Sequence, residues 1–320
     1  MLDAFDAAGE NRPALLTPGT PHLVAYGHQL ASQQSIPGVT VIATSSGHGI
    51  HARVGIAAGM QVLEPVHLCF GMLDPSGLQN VQLELTLEAG ASATIWAHCL
   101  FSFAVDARHA MQATVTVGEG AALRLQESHY HGASGGTKVW ARTRVRLARH
   151  ARYRSEFSLL AGRVGELEVD AAVDAGEATV AELESRVYGY GNDVIRIRES
   201  VELNGEAARA VVKSRVAVRD DATAEIVGAT FGNAAHARGH VDCMEIVRDR
   251  AVATAMPEVR VTHPQAKVTH EAAIGSVDQR QLETLMARGV DPEEAVDILV
   301  RGMLQPAAGS PGVPASSAKP

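Results

Sequence analysis

One pattern recurs from about Ile36 to Thr269: apolar residues in alternation, a turn with Gly or Asp, then small apolar residues alternating again. It reads LELTLEAGASATIWA, ATVTVGEGAALRLQE, VRLARHARYRSEFSL, LEVDAAVDAGEATVAEL, IRIRESVELNGEAARAVV, VAVRDDATAEIVGA and MEIVRDRAVATAM in turn. A period of two marks strands with one face buried. Ala91, Ala121 and Ala151 stand thirty residues apart, while the turns around Gly176, Gly205 and Asp221 are less evenly spaced. Gly90, Gly120 and Gly205 fall in the turns, where a positive φ costs glycine little. Self-similarity on this scale predicts stacked coils, each covering the apolar face of the one before, with a core running along an axis. A parallel β-helix satisfies this. A β-sandwich also yields short alternating strands between turns. Aromatic residues are only 4% of the chain, and a core of small and β-branched side chains suits closely stacked strands.

The flanks differ from the repeat. Residues 1–35 form a mixed N-terminal segment: three prolines in Asn11–Pro21 mark a loop, and His22–Gln34 fits a short helix or a strand. A β-helix core is expected over 36–270, a helical segment over 271–304, and a disordered tail over 305–320, where QPAAGSPGVPASSAKP has nothing from which to build a core. Within the helical segment, Leu282, Leu285 and Met286 share one face of a helix from Gln279 to Arg288, and Gly289 stops it. Asp291–Pro292–Glu293–Glu294 is a helix start, with a capping Asp, an early Pro and acids at the positive end of the dipole.

Bulk properties exclude several function classes. A net charge of −8 argues against non-specific nucleic-acid binding, which needs a basic face. The most apolar window, Ala91–Val105, is interrupted by Ser, Thr and His and is too short to span a bilayer. MLDAFDAAGE has no basic region leading into an apolar run, so no secretory signal is expected. Three cysteines cannot all pair internally, which predicts reduced thiols and a cytoplasmic protein. Phosphate-binding loops of the G-x-x-x-x-G-K-[ST] type, G-x-S-x-G and paired C-x-x-C are all missing, so ATP binding and conventional nucleophilic catalysis are not expected of this chain. A β-helix enzyme acting on polysaccharides needs clustered acids and aromatic platforms, and six Phe, five Tyr and two Trp supply few of the latter.

Donor atoms suited to metals occur in three places. Cys243 offers a soft thiolate, and His270–Glu271 offer imidazole and carboxylate. Cys243 and Glu271 are twenty-eight residues apart, close to one repeat, which predicts adjacent strands about 4.8 Å apart. Glu127, His129 and His131 alternate, so a strand would place them on one face, and His-x-His on a strand is a metal-binding pattern. Cys69, Cys99 and His129 are successive steps of thirty, which predicts a column along the coil axis, either a relay or a stack of small buried residues. His240, just before Cys243, is a further ligand candidate or an exposed strand residue.

The last sixty or so residues carry a closer signature. Cys243, Pro257, His270–Glu271–Ala272, Leu285–Arg288–Gly289–Val290 and Ala295 resemble the C-terminal region of the SufB/SufD family, scaffold proteins of the SUF iron–sulfur cluster assembly system. The resemblance implies a right-handed parallel β-helix and a scaffold, not an enzyme, that holds a transient iron–sulfur cluster at Cys243, His270 and Glu271. It further implies a SufC-like ABC ATPase docked on the terminal helices, through Leu282, Leu285, Met286, Arg288, Val296 and Leu299. A homodimer or a SufB/SufD-type heterodimer, and a desulfurase whose sulfur passes through the coil, complete the implied set; no motif assigns Cys69 or Cys99 to that route, and only their place in the thirty-residue column suggests them as carriers. The alternative within the family is a SufD-like structural subunit that stabilises a scaffold complex without holding a cluster.

Overall fold

The computed structural model describes residues 19–305; most of the proline-rich loop and the tail beyond Gln305 lie outside the described residues. Two ten-stranded sheets face each other along one axis. The first runs, in spatial order, β2 (Gln29–Gln34), β1 (His22–Tyr26), β5 (Val66–Gly71), β7 (Ser92–Phe101), β9 (Ala122–His131), β11 (Arg152–Ala161), β13 (Val180–Gly189), β15 (Arg209–Val218), β17 (Arg238–Val247) and β20 (Lys267–Gly275). The second runs β18 (Val252–Ala255), β16 (Thr223–Gly232), β14 (Val194–Leu203), β12 (Gly165–Ala175), β10 (Thr137–Leu147), β8 (Asp106–Val117), β6 (Ser76–Leu87), β4 (Gly49–Ile56) and β3 (Val39–Ser46), with β19 (Glu258–Val261) also paired to β16. From β4 to β17 the chain alternates between sheets, and these strands pair with one another in parallel; β18 and β19 both add in parallel to β16, and only the β1–β2 and β3–β4 pairs among the named strands are antiparallel. This is a parallel β-helix, and the sandwich alternative is excluded.

Two boundaries fall elsewhere than expected. His22–Gln34 is a hairpin of two strands, and β1 already pairs with β5, so the coil begins inside the segment expected to precede it. At the other end β20 continues to Gly275, so His270 and Glu271 sit within a strand and not at the start of the helical segment. The second helix has the expected Asp291 cap, and the first has an N-cap not expected from the sequence. In α1 (Gln279–Met286) the Asp278 side chain accepts from the Gln281 N–H. In α2 (Pro292–Leu304) Asp291 accepts from Glu293 N–H and Pro292 opens the first turn.

Small residues make the tight corners possible. Ala91, Ala121, Ala151, Ala208 and Ala237 are all buried, each just after a corner residue with positive φ. Corner amides donate along the axis to the next coil: Gly90 to Glu119 O, Gly120 to Arg149 O, His150 to Glu177 O, Ala178 to Glu206 O and Ala207 to Ala235 O. At Gly90 and Gly120 the left-handed residue is glycine, as expected, but the later corners use His150, Ala178, Ala207 and His236. Gly205 does not take that conformation; Ala207, two residues on, does.

A left-handed conformation costs a non-glycine residue about 1–2 kcal/mol, while glycine gives back part of that in unfolded-state entropy. Ala207→Gly is therefore expected to stabilise the protein by up to about 1 kcal/mol, the reverse of the usual sign for Ala→Gly in a β protein. Urea denaturation of the two chains checks this; a lower midpoint for the variant at equal slope contradicts it.

Candidate functional site

Polar side chains interrupt the apolar interior at two levels of the coil. At the first, inward positions of β7 and β9 bring Cys99, Glu127 and His129 together, with one donor atom from each inside a 4.8 Å group. Cys99 pairs directly with His129 across neighbouring strands. Glu127 and His129 lie two residues apart on one face, as alternation predicts, and His129 Nε2 is 2.7 Å from Glu127 Oε1. His131 is next on that face, its Nε2 3.4 Å from His129 Nδ1. On the facing sheet β8 contributes His109, whose ring centre is 6.2 Å from that of His129. Phe101 and Phe157 wall the group, at 5.2 Å from His131 and 5.0 Å from His129.

Burial sets the protonation of this group. It raises the Cys99 thiol well above its usual pKa, with the Glu127 and then the Cys69 charge adding to the effect. It pulls His109 down to about 3, helped by His129, and lowers His131 well below the usual imidazole value. Both of these imidazoles are neutral at physiological pH. Among the described residues His131 Nδ1 and His109 Nε2 have no hydrogen-bond partner, a cost of about 1–3 kcal/mol for each such buried group.

The second level surrounds Cys243. Ser185, Ser214 and Cys243 stack in one inward column of β13, β15 and β17. Ser185 Oγ donates to Glu199 Oε1 at 2.8 Å, and Ser214 Oγ to Glu245 Oε1 at 3.1 Å. Gly228 pairs with Glu199 on the facing sheet; a Cβ there would lie 2.7 Å from Val241 Cγ1 and 3.4 Å from Cys243 Sγ, so only glycine leaves this space beside the thiol. Burial pushes both Glu199 and Glu245 up to about 7. It also raises Cys243, against the pull of a hydrogen bond with Ser214.

Coil length decides which expected partners meet. β17 and β20 pair at a spacing of twenty-nine, Cys243 with Ala272 and Asp242 with Glu271. Twenty-eight residues therefore miss by one, and in a strand one residue changes the face: Glu271 shares the outward face with Asp242, away from the inward Cys243. His270 pairs with Val241 and shares the face of Cys243, two positions along. Both His270 and Glu271 are exposed. His240 points outward and hydrogen-bonds Thr269 Oγ1 through Nδ1 at 2.8 Å. The expected column from Cys69 breaks for the same reason: Cys69 pairs with His98, and Phe70 with Cys99. Cys69 is buried on the outer face of its sheet, and only Cys99 and His129 form the column.

Helix α2 lies on the outer face of the first sheet. Val296, Val300 and Leu304 are buried in a cluster with Tyr188 and Ala217, against which Leu282 of α1 also packs. Tyr188 donates its hydroxyl to Asp297 Oδ1 at 3.0 Å, and Arg248 pairs with Glu293. Val296, one of the expected docking residues, is thus taken up by the coil. Met286, Arg288 and Ile298 are exposed, and Leu285 and Leu299 are half-buried.

Glu199, Glu245, Gln79 and His109 were not singled out from sequence, yet each had a signal. Each sits in phase with apolar neighbours: Ile197, Glu199 and Val201; Val241, Cys243 and Glu245; Gln79, Val81 and Leu83; Ala107, His109 and Met111. A polar residue at an in-phase position is a buried one.

The class of protein this defines is a parallel β-helix with thiol, carboxylate and imidazole side chains inside the coil and a C-terminal helix pair packed on the outer face of one sheet. The profile of the SUF system FeS cluster assembly SufBD core domain matches residues 72–303, and the chain belongs to that family of iron–sulfur cluster assembly proteins. An iron–sulfur cluster assembly SufBD family protein of Methanocaldococcus jannaschii is 32% identical over 95% of this chain and 96% of its own length. A SufBD family protein of Pyrococcus horikoshii is 34% identical over 88% of this chain and 86% of its own. A second one from P. horikoshii is 25% identical, over 78% of this chain but 56% of its own. No helix among the described residues is long and apolar enough to cross a membrane.

The raised carboxylate pKa of Glu199 has a consequence for stability. A carboxyl whose folded pKa lies above its unfolded value is stabilising while protonated, and that contribution is lost as pH rises through the folded pKa. For Glu199 the window runs from the usual carboxylate range up to about 7. Glu199→Gln, which stays neutral, is expected to gain stability over the wild type above pH 8, by an amount on the order of 3 kcal/mol. At pH 5 the two are expected to differ little. Thermal denaturation at the two pH values checks this; a pH-independent difference contradicts it.

Proposed function

We propose that this chain is a scaffold on which an iron–sulfur cluster is assembled at the C-terminal end of the coil, and that it works with a SufC-like ABC ATPase. The observation that carries this reading is the position of Cys243. It is the last inward thiol of the coil, in the strand directly before the edge strand β20, and β20 exposes His270 and Glu271. The cluster is the cargo. A thiolate with harder nitrogen and oxygen partners suits a site that must give up its iron. Cys243 and His270 supply ligands from one face; Glu271 lies on the outward face of the same edge.

That edge has no partner strand along β20 among the described residues, and an open strand edge is a template for a second chain. A homodimer formed there brings two Cys243–His270–Glu271 sets to one interface, and a SufB/SufD-type heterodimer uses the same edge. The ATPase docks on the outer side of α1 and α2, through Leu285, Met286, Arg288, Ile298 and Leu299. Leu282 and Val296 serve from beneath by holding the helices to the coil. A desulfurase supplies the sulfur, with Cys99 and Cys69 as candidate carriers on opposite faces of their sheet. A SufD-like structural role remains the alternative, supported by the burial of Cys243 at 2% exposure in the single chain.

Anaerobic reconstitution with ferrous iron and sulfide tests the scaffold reading. The wild type is expected to gain sulfide-to-iron charge-transfer absorption, and Cys243→Ser to lose most of it. A colourless wild type, or equal spectra for the two chains, favours the structural role. Co-purification with a candidate ATPase tests the docking surface: Ile298→Asp is expected to weaken the complex at least tenfold with an unchanged Tm, since Ile298 is 44% exposed, and undiminished capture contradicts it.

A further inference from the structure

We propose that Cys99, Glu127 and His129 form a second, interior metal site that takes one borderline divalent ion of the first transition row, such as Zn2+ or Fe2+, independently of any cluster at Cys243. The three donors come from neighbouring strands, and one atom from each already lies within 4.8 Å of the others. A tetrahedral ion with one sulfur at about 2.3 Å and nitrogen and oxygen at about 2.0–2.2 Å fits such a group after a small inward movement. Thiolate, imidazole and carboxylate together are a borderline set that suits these ions and not Mg2+ or Ca2+.

The surroundings are those of a ligand site. Metal-bound histidines commonly have their second ring nitrogen held by another polar group. His129 meets Glu127 through Nε2 at 2.7 Å, and its Nδ1 is 3.4 Å from His131 Nε2. When His129 Nε2 takes the ion, its Nδ1–H is free to donate to His131, which makes His131 a positioning residue.

His109 supplies the other pointer. Gln79 spends its amide N–H groups on Gly27 O and Gly71 O at 2.8 and 3.1 Å. Its Oε1 therefore faces His109 Nδ1 at 2.9 Å as an acceptor, which fixes the proton on Nδ1. That leaves His109 Nε2 a bare lone pair, fully buried and unpartnered, on the strand facing His129. Three donors with one further imidazole in reserve describe a site with an open fourth position.

Binding releases the Cys99 thiol proton. The neutral imidazole of His129 keeps its one N–H on Nδ1, toward His131, and leaves Nε2 to the ion.

Cobalt(II) is the probe. Anaerobic titration of the full chain is expected to saturate at one equivalent, with thiolate-to-cobalt charge transfer and the strong visible bands of tetrahedral Co2+. Zn2+ should displace the cobalt stoichiometrically, and Fe2+ only in excess, following the affinity order for these ions. Cys99→Ser should lose the charge-transfer band, Glu127→Gln should weaken binding at least tenfold, and Cys243→Ser should leave the band intact. Both interior substitutions are nearly isosteric, and an unchanged far-ultraviolet spectrum confirms the coil. Should either variant not fold, the other and Cys243→Ser decide. The proposal is overturned if the wild type shows no thiolate band, if the band survives Cys99→Ser, or if it disappears with Cys243→Ser. Because Cys243→Ser disables only the terminal site, failure of the scaffold reading and failure of this one give different spectra.

Discussion

Parallel hydrogen bonding between successive coils determines which residues share a face, and nearly everything else follows from it. Strands stack about 4.8 Å apart, so side chains one coil apart in register become neighbours. Register is not constant along the chain. Ser92 pairs with Ala122 thirty residues on, Arg152 with Val180 after twenty-eight, and Arg209 with Arg238 after twenty-nine. Each coil can lose a residue at a corner without disturbing the stack, because corners tolerate a change in length that a strand does not. The cost is that chemistry-bearing residues separated by one coil meet only when the spacing matches locally.

The interior is lined mainly by apolar side chains, and this gives its polar residues their character. Burial among apolar walls raises the thiols of Cys99 and Cys243 and the carboxyls of Glu199 and Glu245, and depresses the imidazoles of His109 and His131. Paired charges lie elsewhere: Arg144 with Asp170 and Arg250 with Asp221 line the outer surface. Burial pushes Glu199 and Glu245 both up to about 7, at the level of the coil where it also raises the Cys243 thiol.

Much of the architecture was legible in the sequence. Alternation gave the strands, the recurring alanines the corners, and Asp291–Pro292 the second helix. The hairpin at His22–Gln34 was ambiguous because short mixed segments carry no decisive period. The candidate site was legible in part. Glu127, His129 and His131 share a face because they sit on one strand, where spacing alone suffices. Cys99 joins them because its coil is thirty residues long. Cys69 and Glu271 miss their expected neighbours by one residue each, and no single sequence reveals where a coil loses a residue. Glu199 and Glu245 escaped notice because charged residues in a strand read as the solvent face until their phase is compared with the valines around them.

Stacked coils also have ends, and among the described residues the last strand of the first sheet, β20, pairs with β17 and with no strand beyond it. In a one-dimensional array each unit is stabilised by its neighbours, so the terminal rung has about half the support of an internal one. Local opening in such an array is expected to start at the terminal rung before it reaches the middle. Cys243 pairs with Ala272 of that rung, nine residues from Lys267 to Gly275, so the thiol stands one strand in from the end at which opening starts.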